Sequence, residues 1–370
     1  MSKPFSEFHI AIYCSSESWG GLEKNSIELA IQLKTMGFDV IAFGLKNASF
    51  SKYAEQHQIR TCYVKRNNRY ADLSSALKLR KQFQFHTITH CIFRDPRDIS
   101  IMGITHFLYP QFKVIYYQAM QLNGPKKSIP HRIRFSQINA WVCTSNTLKE
   151  QVIKYTHVPG EKLYVIPLQT KIPERTAVKQ SLFEKFSIPQ SKKRIGCVGR
   201  LDPKKDQFTL LKSFQSISKE TDWNLIFIGD TTFQEGDEYA NALQLFVNEN
   251  QLADRVFFIP YQENIHAVYE SIDLFVLPSI SETFGTVTIE AMAHGLAILG
   301  TNSGATPELL NQPERLFEPQ NVTELATKML ELINNDALRN EAGLFNANRF
   351  QTQYSETTFQ EKWNKLLNQI

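Results

Sequence analysis

No stretch of this 370-residue sequence approaches the roughly 20 consecutive apolar residues needed to span a bilayer. The N-terminus, MSKPFSEFHIAIYCSSES, has no leader-like apolar run, and its one short apolar segment reads as a first strand. The expectation is a cytoplasmic protein, at most peripheral on the inner face of the cytoplasmic membrane. Cysteine is sparse: Cys14, Cys62, Cys91, Cys143 and Cys197 lie far apart, with no Cys-x-x-Cys pair. That argues against a disulfide framework or structural zinc, and for buried thiols in a reducing compartment. A G-x-G-x-x-G run is missing, so a nicotinamide site is not indicated. Asp-x-Asp is missing too. RDPRD, residues 94–98, has two Asp three apart and no His partner, so it reads as a surface turn and no metal is expected. No internal repeat or nucleic-acid recognition module accompanies the charge.

Apolar residues are plentiful, at 42% of the chain with 26 Phe, enough for two cores at roughly 150 residues per domain. Formal charge is +4, but residues 1–172 hold 23 Lys+Arg against 11 Asp+Glu, whereas the remainder holds 18 against 26. A basic first half suits an anionic surface or acceptor, although clustered surface lysines explain it equally well. Short β-rich runs alternate with helical periodicity: His9–Cys14, Arg60–Val64, Thr87–Phe93, Lys113–Tyr117, Ala140–Cys143 and Leu163–Ile166 are strand candidates. From Pro167 to Gln190 the rhythm breaks into a Pro-containing linker with a short helix. A second series then begins at RIGCVGRL, with strands Ile195–Val198, Asn224–Ile228, Val256–Ile259, Leu274–Leu277 and Ala297–Leu299. The expected class is α/β, with two doubly wound parallel-sheet domains, 1–170 and 171–350, facing a central cleft. A C-terminal helix in 351–370 is expected to cross back to the first domain.

The passage DLFVLPSISETFGTVTIEAMAHGLAILGT, residues 273–301, reads as buried strand, loop, Gly, helix, Gly, strand. Glu282 lies in the loop, Gly285 and Thr286 open the helix, and Glu290 falls about one turn inside it. A helix N-terminus offers free N–H donors and partial positive charge, which suits a diphosphate, and flanking carboxylates accept from hydroxyls. A nucleotide-sugar has that shape. In CVGRLDPKKDQF, Arg200 and Lys205 follow a strand ending at Gly199 and would neutralise a leaving diphosphate without metal. Gly20 and Gly21 sit at a strand-to-helix turn where a ligand can approach the backbone, or where the turn is merely tight.

The Glu282-x7-Glu290 spacing, with Phe284-Gly285 inside it and Ala-Met-Ala-x-Gly after it, resembles the retaining glycosyltransferase family 4 of GT-B fold. The resemblance implies that Glu282 contacts the transferred sugar and Glu290 the ribose. It implies that backbone amides from Phe284 through Thr286 to Val287 meet sugar and phosphates, and that Arg200 and Lys205 hold the diphosphate. The Gly20–Gly21 loop would close over donor phosphate and acceptor. The family's usual Gly after the Lys is Asp206 here, read as an N-cap. Many members carry a His at the end of the strand read as Lys113–Tyr117; Gln118 stands there, able to bond a sugar hydroxyl but not to act as acid or base. His131 is a weaker substitute. Tyr261, in the loop after Ile259, is expected against the donor base. In NGPKKSIPHRIRF, Lys126, Lys127, Arg132 and Arg134 interleave with Ile129, Ile133 and Phe135, as in a segment resting on anionic lipid or in an ordinary amphipathic helix.

The expected activity is transfer of a hexosyl unit, with retention, from a UDP-, GDP- or ADP-sugar to a sugar, lipid-linked or lipopolysaccharide acceptor in cell-envelope synthesis. No cofactor and no nucleic-acid partner is expected. The alternatives are a nucleotide-sugar-binding partner that has lost catalysis, suggested by Gln118, and a nucleotide-sugar epimerase.

Overall fold

A computed structural model describes residues 7–66, 72–118, 120–170, 185–189, 191–231 and 236–370. Contacts divide the chain into two units, Met1–Pro167 with Phe359–Ile370, and Leu168–Thr358. Most of the linker read between Pro167 and Gln190, its short helix included, lies outside the described residues.

The first unit is a parallel sheet of seven strands: β1 (His9–Cys14), β2 (Asp39–Leu45), β3 (Arg60–Val64), β4 (His90–Phe93), β5 (Lys113–Tyr117), β6 (Ala140–Cys143) and β7 (Leu163–Val165). Their order is β3-β2-β1-β4-β5-β6-β7, so the winding direction reverses between β1 and β4. The inner strands β4, β5 and β6 are buried almost throughout, as expected of parallel strands covered by helices on both faces. β4 starts later than the Thr87 expected from its apolar run. Thr87 is left-handed (φ 49°), and the Ile88 amide still bonds the Phe83 carbonyl at 2.9 Å to finish the preceding helix, Leu73–Phe85. The last helix, Glu356–Gln369, buries Trp363 edge-on to Tyr117 at 5.4 Å.

The second unit has six parallel strands: β8 (Arg194–Val198), β9 (Asn224–Ile228), β10 (Val256–Ile259), β11 (Leu274–Leu277), β12 (Ala297–Thr301) and β13 (Leu316–Phe317). Their order, β10-β9-β8-β11-β12-β13, puts the reversal between β8 and β11. In open α/β sheets the loops beyond the strand ends at such a reversal are where ligands collect. Lys205 follows β8 and Glu282 follows β11.

Of the five thiols, Cys62 departs from the expected burial, lying half-buried with its sulfur 3.2 Å from His86 Nε2. The RDPRD segment is not a surface turn: Arg94, Asp95 and Asp98 are all buried at the end of β4. Among the described residues, no helix is long and apolar enough to cross a membrane.

Candidate active site

The site of the second unit is assembled by two loops tied together through their backbones. After β8, Asp202 caps a 3-10 turn at Pro203–Lys205, its carboxylate accepting from the Lys204 amide at 2.8 Å. The Lys204 carbonyl accepts from the Ile280 amide at 3.0 Å, which fixes this turn against the loop after β11. Lys205 Nζ thereby donates to Glu282 Oε1, while Lys204 stays exposed. Ser279 Oγ donates to the same carboxylate oxygen at 2.8 Å, and the Glu282 carbonyl accepts from the Ala305 amide at 2.9 Å. Beside it stands Gly304 (φ +60°), where a Cβ would lie 2.2 Å from the Glu282 carbonyl oxygen. Glu282 is thus oriented through its carboxylate and its backbone. Its side chain is largely covered, whereas that of Lys205 keeps about 29% of its surface.

The Thr286–Ala293 helix opens next to this pair. Its N-cap, Gly285, is left-handed (φ 83°), and no side chain caps the first turn. The amides of Thr286 and Val287 find no acceptor among the described residues. Uncapped amides and the positive end of the helix favour a negatively charged group at this point. Phe284 turns inward, buried and 6.5 Å from the Tyr354 ring, so only its backbone is free to face a ligand.

Glu290, one turn into that helix, accepts from Tyr269 Oη at 2.8 Å. Burial pushes its carboxyl up to about 7, and the Tyr269 hydrogen bond offsets only part of that. Tyr269 stacks on His294, whose Nε2 is 3.1 Å from His266 Nδ1.

Arg200 is exposed, and its guanidinium has no partner among the described residues. Gly199 is held at φ +152°, and a Cβ on the neighbouring Gly229 would meet its carbonyl oxygen at 2.3 Å. Asp206 is left-handed (φ 51°), a backbone state that glycine adopts without cost and Asp tolerates. It stands at the N-cap of the Gln207–Ile217 helix, but its carboxylate bonds Thr209 Oγ1 at 2.7 Å instead of capping an amide. Tyr261 is exposed after the edge strand β10, with β9 between that strand and β8.

The first unit treats its expected site residues differently. Gly20 is extended (φ −143°), a conformation open to any residue, so a tight turn does not explain it. A Cβ at Gly21 would meet nothing within 4 Å. Gln118 departs most from the expectation of a sugar contact. It is 0% exposed, its Oε1 accepting from Trp141 Nε1 at 2.9 Å and its Nε2 donating to the Met120 carbonyl at 2.7 Å. A buried indole N–H needs an acceptor, and the Gln118 amide supplies it. His131 is tied to Ser128 Oγ at 2.7 Å.

Three contributors were not read from the sequence: Ser279, Tyr269 and Gly304. Ser279 lies three residues before Glu282, a spacing that hints at contact; Tyr269 and Gly304 reach the site through the fold alone. Among the described residues, no group of three or more His, Cys, Asp or Glu is arranged to hold a metal ion.

Profiles of two families match the chain. "Glycosyl transferases group 1" covers residues 178–348 and "Glycosyltransferase Family 4" covers residues 19–168. The chain belongs to the family 4 type of glycosyltransferases. An N-acetyl-alpha-D-glucosaminyl L-malate synthase of Bacillus anthracis is 28% identical over 228 residues, 60% of this chain and 57% of that protein. The match thus spans little more than half of that relative's length. The capsular polysaccharide biosynthesis glycosyltransferase CapM of Staphylococcus aureus is 28% identical over 285 residues, 73% of this chain and 67% of CapM. HepE of Anabaena, solved in complex with UDP, superposes with a TM-score of 0.84 at 18% identity, covering 98% of this chain and all of HepE. The fold of this glycosyltransferase is therefore GT-B.

Proposed function

We propose that this glycosyltransferase moves a hexosyl unit, with retention, from a nucleotide diphosphate sugar to an acceptor hydroxyl of a cell-envelope polysaccharide, lipopolysaccharide or glycolipid. The observation that carries the reading is the Lys205–Glu282 pair set beside an uncapped helix N-terminus at the strand reversal. A diphosphate arriving there replaces Glu282 as the partner of Lys205 and is met by Arg200 and the amides of Thr286 and Val287. Freed from Lys205, Glu282 accepts from hydroxyls of the sugar, and Ser279 keeps it oriented. Glu290 accepts from the ribose, and Gly199 leaves the backbone beside the phosphates uncovered. As the glycosidic bond breaks, charge grows on the departing phosphate where Arg200 and Lys205 are already placed, which lowers the barrier without a metal or cofactor. That phosphate takes the acceptor's proton, so no protein base is needed.

Several relatives support the envelope assignment by name, CapM among them, and UDP is bound by HepE, which favours a UDP-sugar among the three donor bases. The test is Glu282→Gln. Turnover of the donor, by transfer or by hydrolysis, falls far more than nucleotide affinity does; a variant as active as the wild type refutes the assignment. One observation favours a second reading, a donor-binding partner without turnover: Gln118 is sealed in the core where a His is usual in the family. Saturable donor binding by calorimetry, with no product over a panel of envelope extracts, selects that reading.

A further inference from the structure

Between Asp98 and Glu150 the chain has no acidic residue, while it places Lys113, Lys126, Lys127, Arg132, Arg134 and Lys149 there. Within this stretch lies the Ile129–Ser136 helix, of which only Phe135 is buried. Ile129 and Ile133 are 72% and 66% exposed and, four residues apart, share one helix face. Phe107, 77% exposed on the Ile99–Leu108 helix, lines with Ile133 a recess of about 260 Å³ between the two helices. On the other flank Met120 and Pro130 line a cavity of about 480 Å³ together with Lys126 and Arg134. Exposed apolar side chains scattered singly are ordinary on a protein surface, but a contiguous strip of them marks a docking site.

We propose that the first unit docks on an anionic lipid bilayer through this strip, with Phe107, Ile129 and Ile133 entering the interface and Lys126, Lys127 and Arg132 meeting the headgroups. Charge complementarity selects this occupant. A cationic rim, drawn from a stretch of chain without acidic residues, around apolar side chains matches headgroup phosphates above acyl chains. A second copy of the same face would set like charges against each other, which is costly. Arg134 is already committed inward, donating to Ser100 Oγ and to the Pro96 carbonyl at 2.9 Å each, so it anchors the helix and leaves the contact to its neighbours. The docking does not depend on which donor the second unit binds.

The test is co-sedimentation of the full chain with vesicles of phosphatidylcholine alone and of phosphatidylcholine mixed with phosphatidylglycerol. The chain partitions onto the mixed vesicles, weakly onto phosphatidylcholine alone, and less as salt rises. Lys126→Glu, Lys127→Glu and Arg132→Glu together reduce partitioning by roughly a hundredfold. Phe107→Ser with Ile133→Ser reduces it by about tenfold or more. Because Phe107, Lys127, Arg132 and Ile133 are exposed and Lys126 is only half-buried, the far-ultraviolet spectrum and melting temperature stay as in the wild type, which separates lost docking from lost folding. Absence of binding to either vesicle, binding that both variants retain, or self-association that both variants abolish overturns the proposal.

Discussion

The two units carry their polar residues at the same topological position, where the strand order reverses, and use them in opposite ways. At the β8/β11 reversal, Lys205 and Glu282 meet at the rim, with part of the Lys205 side chain open and helix amides waiting beside them. At the β1/β4 reversal, Ser15 Oγ donates to Asp98 at 2.5 Å, Arg97 is paired with Asp95, and Arg94 lies 4.1 Å over the Tyr117 ring. Asp98 Oδ2 and the Nε and Nη1 of Arg94 are buried and have no partner among the described residues. Unpaired buried polar atoms cost stability. The doubly wound sheet therefore supplies a place for chemistry in both halves, but in the first Arg94, Asp95 and Asp98 are buried and only Arg97 is open, whereas the second sets a partly open cation beside uncapped helix amides.

The largest effect that sharpens this contrast is expected from Lys205→Ala. Removing a cation aimed at charge that develops during reaction lowers kcat by about 10²–10³-fold. The melting temperature falls only modestly, because Lys205 is partly exposed and the covered Glu282 carboxylate keeps the Ser279 hydroxyl as a donor. Steady-state kinetics beside a thermal melt checks both halves of the statement. If kcat holds and melting drops, the second rim is as structural as the first and the contrast fails.

Gln118→Leu probes the opposite end of the comparison. It leaves the Trp141 indole N–H and the Met120 carbonyl without their partner, a cost of about 1–3 kcal/mol. The melt of the first unit falls by several degrees, while turnover per folded molecule changes little. Lost turnover at an unchanged melting temperature would return Gln118 to the sugar.

Sequence patterns exposed the second site more fully than the first, for a physical reason. Glu282, Gly285 and Glu290 belong to one strand–loop–helix passage, so local spacing alone places them. Lys205 lies 77 residues from its partner, and only a shared motif, not periodicity, points to it. Gly304 and Tyr269 contribute through approach of distant backbone and side chain, which a linear pattern does not carry. The misreading of RDPRD has the same root: Asp and Arg after a strand look solvated until the neighbouring Ser15 loop and Tyr117 cover them. Both sheets were legible as alternating elements, whereas β13, two residues long, is too short for any periodicity to show.

The smallest effect separates two carboxyls that burial has moved alike. Glu290 rises from its ordinary 4.5 to about 7, and Asp98 from 3.8 to about 7. In both cases the folded chain keeps a proton that the unfolded chain has released across the range up to about 7. Folding then holds more protons than unfolding, so stability declines as pH climbs through that range and levels off above it. Donor affinity runs the other way, since ribose hydroxyls are better accepted by an ionised Glu290. A nucleotide-sugar, whose diphosphate does not titrate in this range, binds more tightly from pH 6 to 8, by at most about tenfold per unit. Calorimetry across that interval checks the slope. Glu290→Gln flattens both the affinity and its share of the stability curve, whereas Asp98→Asn flattens stability alone. An Asp98→Asn protein whose donor affinity loses its pH dependence would join the two rims into one titrating system, against the contrast drawn from their geometry.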